Sequence, residues 1–186
     1  MLTATDPLPA RPARILVAGV SGSGKTTLAA RIGELLDVPH TEIDGLYHGA
    51  GWTVRPEFEA EVDAFTSQES WVAEWQYSSM RRLLAERADT VVWLDLPYPV
   101  VLTRVVRRTL RRRVRREVLW NGNVEPPLHT FFTDPQHVVR WSISTRNLNR
   151  ERVPTLADAH PHLTVVRLRR RRDVDRWVRD VLQPLA

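Results

Sequence analysis

Residues 19–26 read Gly-Val-Ser-Gly-Ser-Gly-Lys-Thr, and no other stretch restricts the fold of this chain so strongly. An apolar run, Ile15-Leu-Val-Ala18, comes before it. After it comes a segment in which Leu28, Ile32, Leu35 and Leu36 share one helical face. A buried strand must therefore pass into a helix through Gly19, Gly22 and Gly24. Glycine accepts positive φ at no steric cost, so successive N–H groups can point into one hollow. That hollow lies at a helix N-terminus, where the dipole favours anions. The spacing matches G-x-x-x-x-G-K-[ST], in which the lysine reaches the β- and γ-phosphates and the hydroxyl ligates Mg²⁺. Gly19, Val20, Ser21, Gly22, Ser23, Gly24, Lys25, Thr26 and Thr27 are thus expected to cradle the phosphates of ATP, with Thr26 on Mg²⁺.

The remaining pattern alternates strands with helices. Short apolar runs at 39–44, 71–75, 91–95 and 163–167 read as strands. Helical periodicity covers 56–67, 79–87, 98 to about 119, and 173–182. A further helix is expected to start at Asp134-Pro135 and to stop before Pro154. This alternation implies one α/β domain with a parallel sheet covered on both faces. Residues 1–13, punctuated by Pro7, Pro9 and Pro12, are expected to be a flexible tail, and 14–186 a single domain. The breaks near Gly45 and Trp120 read as insertions. On the helix that begins at Tyr98, Leu102, Val106, Leu110, Val114 and Val118 form an apolar stripe that should anchor it.

Charge is distributed unevenly. Residues 1–100 hold 8 basic and 14 acidic side chains, a net of −6, whereas the rest hold 19 and 8, a net of +11. The second half is therefore expected to face polyanions, or else to be a solvated arginine-rich surface. Every cation but one is arginine; the exception is Lys25. Lysine is a compact point charge on a flexible stem, suited to wrapping in tight backbone, which a planar guanidinium is not. The absence of cysteine excludes a disulfide framework and thiolate metal sites. No apolar run approaches the ~20 residues that span a bilayer, and the N-terminus lacks a signal-peptide core, so a cytoplasmic protein without a membrane partner is expected.

The loop at 19–27, Asp44, and Gly51-Trp-Thr53 resemble the small P-loop kinases related to adenylate, shikimate and gluconate kinases. Val92-Trp-Leu-Asp-Leu-Pro97, Arg108-Thr-Leu-Arg-Arg112, and Leu119-Trp-Asn-Gly-Asn123 followed by Glu125 are similar to the adenylate-kinase-related group called topology modulation proteins. The resemblance covers about 14–177. It implies a three-layer P-loop NTPase fold with strand order 2-3-1-4-5. It also implies an acceptor-binding insertion at 45–70, an arginine-bearing lid at 104–133, and transfer of the ATP γ-phosphate to a small acceptor. One departure stands out. Where such proteins often read Asp-Gly-Asn-Tyr after the third strand, this chain has Glu74-Trp-Gln-Tyr77. Either the acceptor pocket is reshaped, or catalysis is altered or lost.

Phosphoryl transfer needs positioning, a metal, and cations around the transferred oxygens. Asp44, ending the second strand, is expected to meet the acceptor as ligand or base. Glu74 and Asp95 both end strands; the implied order favours Glu74 as the metal-side acid over Asp95. Arg104, Arg108 and Arg112 are the lid arginines expected to act in catalysis, with Arg111, Arg115, Arg140 and Arg146 as further candidates. Trp52, Trp75 and Tyr77 could wall the acceptor pocket, while Trp93, Trp141 and Trp177 suit a core. A nucleotide or nucleoside is the first acceptor expected, with other small hydroxyl or phosphate compounds open, and a monomer is the expected state. Two rivals remain. One is a nucleic-acid-directed protein, supported by eight arginines within 104–116 but lacking interleaved aromatics. The other is a degenerate NTPase that binds ATP and phosphorylates nothing.

Overall fold

The computed structural model describes residues 1–134 and 137–186. Five parallel strands form one sheet: β1 (Arg14–Gly19), β2 (His40–Thr41), β3 (Trp71–Glu74), β4 (Thr90–Leu94) and β5 (Thr164–Leu168). Their spatial order is β2-β3-β1-β4-β5. The helices are α1 (Lys25–Leu36), α2 (Ile43–Tyr47), α3 (Phe58–Thr66), α4 (Arg81–Arg87), α5 (Tyr98–Arg115), α6 (Thr130–Thr133), α7 (Val138–Ser144), α8 (Leu148–Ala159) and α9 (Arg171–Trp177), the last continuing as a wider turn over Val178–Leu182. The α/β class and the strand order agree with the sequence reading.

Strand alternation divides the core. Ile15, Val17, Val72, Val92, Val166 and Leu168 face α1 and the C-terminal helix, packing on Leu28, Ile32, Leu36 and Trp177. Leu16, Ala18, Ala73, Val91, Trp93 and Val165 face α3, α4 and α8, packing on Phe58, Val62, Leu84 and Val153. With both faces covered, the strands read as unbroken apolar runs. The central position of β1 delivers its C-terminal end, and the loop after it, between the ends of β3 and β4. No helix among the described residues is long and apolar enough to cross a membrane.

Several local expectations are corrected. Residues 1–13 are docked rather than a loose tail. Leu2 donates from its N–H to Val165 O at 2.7 Å and accepts from Arg167 N–H at 2.8 Å, and Ala4 is buried. Arg11 reaches the carbonyls of Leu36 and Leu185, tying the segment to the ends of two helices. The second strand is only two residues long, and Asp44 lies on the short helix that follows it. Pro154 sits inside α8; Val153 and Leu156, buried against the sheet, hold the helix across the missing hydrogen bond. The helix start expected at Asp134-Pro135 falls partly outside the described residues, and the first helical residue thereafter is Val138.

The largest correction concerns α5. Its buried face is Val101, Val105 and Thr109, while Leu110, Val114 and Val118 of the expected stripe are exposed. Both sets recur every four residues, so periodicity alone could not choose between them. What decides is the phosphate loop: a Cβ on Gly22 would overlap a Val105 methyl and stand 3.1 Å from Val101 O.

Candidate active site

The loop between β1 and α1 is built as its glycines require. Gly22 and Gly24 take φ of 83° and 99°, values that L side chains rarely adopt. Ser23 N–H donates to Val20 O at 3.1 Å, and Gly24 O accepts the first α1 bond from Leu28 at 3.0 Å. Lys25 folds back so that Nζ lies 3.5 Å from Val20 O. Burial pushes its ammonium below the ordinary lysine value; Asp44 and Glu74 pull in the opposite direction, and Arg108 adds to the depression. One lysine therefore feels two carboxylates and a guanidinium, all of them expected site residues.

Glu74 ends β3 directly beside β1, paired in register with Val17. It is 1% exposed. Its Oε2 accepts from Ile43 N–H at 3.1 Å, and His40 Nε2 stands 3.7 Å from Oε1. Oε1 itself has no hydrogen-bond partner. Burial alone would raise this carboxyl's pKa. Contacts from His40, the Ile43 N–H and the Thr26 hydroxyl outweigh burial and hold it below the ordinary carboxylate value. A buried carboxylate with one oxygen short of a hydrogen-bond partner is the kind of group a divalent cation satisfies.

Asp95 is placed differently. Its Oδ1 accepts from Arg150 Nε at 3.0 Å, and its Oδ2 from Arg167 at 2.5 and 3.0 Å. Arg167 in turn lies over the Trp93 ring, 4.4 Å from its centroid. Both oxygens of Asp95 are spent on guanidiniums, which is a reason not to count it as a metal ligand. Two substitutions separate these roles. Asp95→Asn is expected to cost about 1–3 kcal/mol of stability, because two arginines lose a charged acceptor. Glu74→Gln is expected to leave stability closer to wild type but to weaken Mg²⁺-dependent ATP turnover the more strongly of the two. Urea melts and Mg²⁺ titrations of turnover check both, and greater loss of turnover in Asp95→Asn would reverse the assignment.

Asp44 stands on α2 with two donors converging on Oδ1, Gln76 Nε2 and Tyr77 OH. Burial and the neighbouring Asp44 charge raise the Tyr77 pKa, so the phenol remains a donor. Tyr77 also lies 3.3 Å from His48 Nε2 and stacks on Tyr47 at 3.9 Å. Tyr77 is expected from the sequence as a pocket wall and Gln76 only as part of an altered motif, and neither expectation reveals their bonds to Asp44. Residues two apart on extended chain point the same way, which places Gln76 on the side of Glu74. Trp75 points into the core instead, with its indole N–H on Arg81 O at 3.3 Å. It does not wall a pocket. Trp93 and Trp177 are core residues as expected, but Trp141 is 48% exposed.

The arginines separate into two groups. Arg104 donates to Ser23 O at 3.3 Å, and Arg108 NH2 lies 3.5 Å from Ser21 Oγ, so both reach the phosphate loop from α5. Burial and the neighbouring Arg112 depress the Arg108 pKa, against a pull from Glu125 and Asp44. Arg112 is held by Glu125 at 3.5 Å and lies over the Trp120 ring. Arg111 pairs with Glu117 at 3.2 Å, and Arg140 donates to Phe132 O at 3.4 Å. Arg115 is exposed, and Arg146 lines a small cavity against Val20.

No protein-family model matches the chain, and no curated protein sequence matches it. Solved structures do. A gluconokinase from Sinorhizobium meliloti 1021 aligns over 95% of this chain and 93% of its own, at 22% identity and a TM-score of 0.54. A shikimate kinase from Acinetobacter baumannii, in complex with shikimate, aligns over 83% and 82% at 19% identity and a TM-score of 0.48. One from Bacteroides thetaiotaomicron aligns over 94% and 98%, at 18% and 0.48. The sheet order together with the first of these likenesses gives this chain the fold of the small P-loop kinases.

Proposed function

We propose that the protein is an ATP-dependent phosphotransferase that moves the γ-phosphate to a hydroxyl of a small acceptor held between residues 44–65 and 74–77. The observation that carries this reading is what meets at the loop: Lys25 Nζ folds back to 3.5 Å from Val20 O, Arg104 and Arg108 of α5 reach Ser23 O and Ser21 Oγ, and Glu74 ends β3 beside β1. ATP would lie along 19–27 with Lys25, Arg104 and Arg108 around its phosphates. Thr26 and Glu74 fit Mg²⁺, because the Thr26 hydroxyl and the Glu74 carboxylate, whose Oε1 has no hydrogen-bond partner, are hard oxygen donors. When bound, Mg²⁺ would neutralise phosphate charge.

In the reaction, the acceptor hydroxyl gives its proton to Asp44 as its oxygen bonds to the γ-phosphorus. The bond from that phosphorus to the bridging oxygen of ADP breaks, and ADP leaves with the electron pair. Gln76 and Tyr77 hold Asp44 Oδ1, which fixes the carboxylate's orientation. Arg104 and Arg108 match the charge that develops on the equatorial oxygens.

The acceptor class is a small hydroxyl compound, with a nucleoside or nucleotide as the first candidate. The likeness of Leu119–Asn123 and Glu125 to the topology modulation group supports that choice, whereas the gluconokinase likeness favours a sugar acid. The test is incubation with γ-labelled ATP, Mg²⁺ and pooled nucleosides, nucleotides, sugars, sugar acids and oligonucleotides. Label in one small product supports the reading. Label only in oligonucleotides transfers it to nucleic-acid ends, and ATP binding without any labelled product leaves a nucleotide-binding switch.

A further inference from the structure

The run Trp120-Asn-Gly-Asn123 lies outside the phosphate site, yet it is tied to the segment that carries Asp44. Two antiparallel bridges, His48 with Val54 and Val118 with Val124, each close a tight turn. Each turn contains two consecutive residues at positive φ: Gly51 at 66° and Trp52 at 62°, Asn121 at 55° and Gly122 at 80°. The turns interlock through side chains. Asn123, 4% exposed, accepts on Oδ1 from Trp52 N–H at 3.0 Å and donates from Nδ2 to Gly49 O and to Trp120 O, both at 2.8 Å. Asn121 donates to His48 O, and the Trp52 indole N–H to Val124 O at 3.3 Å. Trp120 is stacked with the His48 ring at 5.8 Å, and a Cβ on Gly45 would stand 3.1 Å from the Trp120 ring.

The Asn123 amide thus has both of its N–H groups and its oxygen engaged, in a buried place. Pulling the turns apart would leave two of those bonds unmade, and a buried polar group without a partner is costly. The two turns belong to different machinery. One continues from α2, where Asp44 meets Tyr77 and where His48 reaches the same phenol. The other follows α5, whose Arg104 and Arg108 touch the phosphate loop and whose Arg112 lies over Trp120, 5.8 Å from its centroid.

We infer that Asn123 is a positioning residue that makes the acceptor segment and the arginine helix one moving body. Seating an acceptor at 44–54 then seats Arg104 and Arg108 over the phosphates, and withdrawing it withdraws them. Such coupling ties closure of the arginines over the phosphates to the position of the acceptor segment, whichever ligand moves first. This rests on the phosphotransferase reading above.

The experiment is hydrogen exchange on the full chain, with and without Mg²⁺ and a non-hydrolysable ATP analogue. Wild type, Asn123→Ala, Asn123→Asp and a control at an exposed side chain outside the interlock, Phe132→Ala, are compared. In wild type the analogue should slow exchange at 19–27, 104–116 and 47–54 together. In Asn123→Ala, slowing at 19–27 and 104–116 should persist, while the nucleotide-induced slowing at 47–54 falls roughly tenfold, the equivalent of one good hydrogen bond. Asn123→Asp, which keeps the acceptor for Trp52 but not the donor for Gly49, should fall between; Phe132→Ala, outside the interlock, should behave as wild type. A merely loosened turn would speed exchange at 47–54 equally with and without nucleotide, and that result overturns the inference. So does a wild type in which 104–116 responds and 47–54 does not. If the analogue slows nothing at 19–27, the ATP reading fails instead. The coupling is then decided in the free protein: faster exchange of 108–116 in Asn123→Ala upholds it, and unchanged exchange overturns it.

Discussion

Lys25→Ala is expected to reduce ATP-dependent turnover by about two to three orders of magnitude, the range typical of losing one preorganised charge donor at a reacting oxygen. The fold should survive. Burial already holds the ammonium below its ordinary value, so removing it relieves a cost in the free protein rather than adding one. Midpoints of urea unfolding at or above wild type, with turnover lost, would show a group that serves chemistry and not stability. Lys25→Arg should fail almost as badly. The side chain folds back to within 3.5 Å of Val20 O inside a turn set by two positive-φ glycines, and a planar guanidinium does not fit that path. Wild-type turnover in Lys25→Ala would remove the phosphotransferase reading, because no other cation in the chain enters the loop from its own backbone.

The fold was legible in the sequence because its strongest signals are local. A glycine turn between an apolar run and an amphipathic segment dictates strand, loop and helix without reference to anything distant. Unbroken apolar strands announce a sheet covered on both faces. What was not legible depended on partners remote in the chain. Val101 and Val105 are buried because Gly22 lets α5 approach, yet Leu102 and Val106 offer the same spacing. Asp95 resembles a metal acid until Arg150 and Arg167, 55 and 72 residues away, take both its oxygens. Trp75 replaces a glycine in the resembling motif and looked like a pocket wall; the core behind β3 had room for it. Leu2 reads as part of a polar tail, but the open edge of β5 gives its backbone a partner. At the site, residue types were readable and relations were not. Glu74 could be placed beside the loop from strand order alone, whereas its unpartnered oxygen, and the two donors that hold Asp44, depend on how side chains from separate segments meet in the fold.

Asp44→Asn is expected to lower turnover by about two to four orders of magnitude, the usual contribution of a positioned general base. The substitution is nearly isosteric. Asn keeps an oxygen for Gln76 Nε2 and Tyr77 OH to donate to, so the α2 segment should remain in place. Three things change. The acceptor hydroxyl loses the group that takes its proton. The neutral amide no longer supports the charge of Lys25, whose ammonium is already disfavoured by burial. The charge that helps keep Tyr77 protonated also disappears, although burial, the larger cause, remains. ATP affinity should stay near wild type, because the loop, Arg104 and Arg108 are untouched. The loss should therefore appear in kcat with the acceptor saturating, and not in the KM for ATP. Tyr77→Phe is the companion variant. It removes one donor to Oδ1 while leaving the carboxylate, so a loss of about tenfold, smaller than that of Asp44→Asn, is expected if the phenol orients the base. Equal losses in the two variants would make Tyr77 the group that meets the acceptor. Full turnover in Asp44→Asn would mean that the acceptor's proton leaves without a protein base, as the loose transition state of phosphoryl transfer permits. Asp44 would then serve only to hold Gln76, Tyr77 and the charge of Lys25.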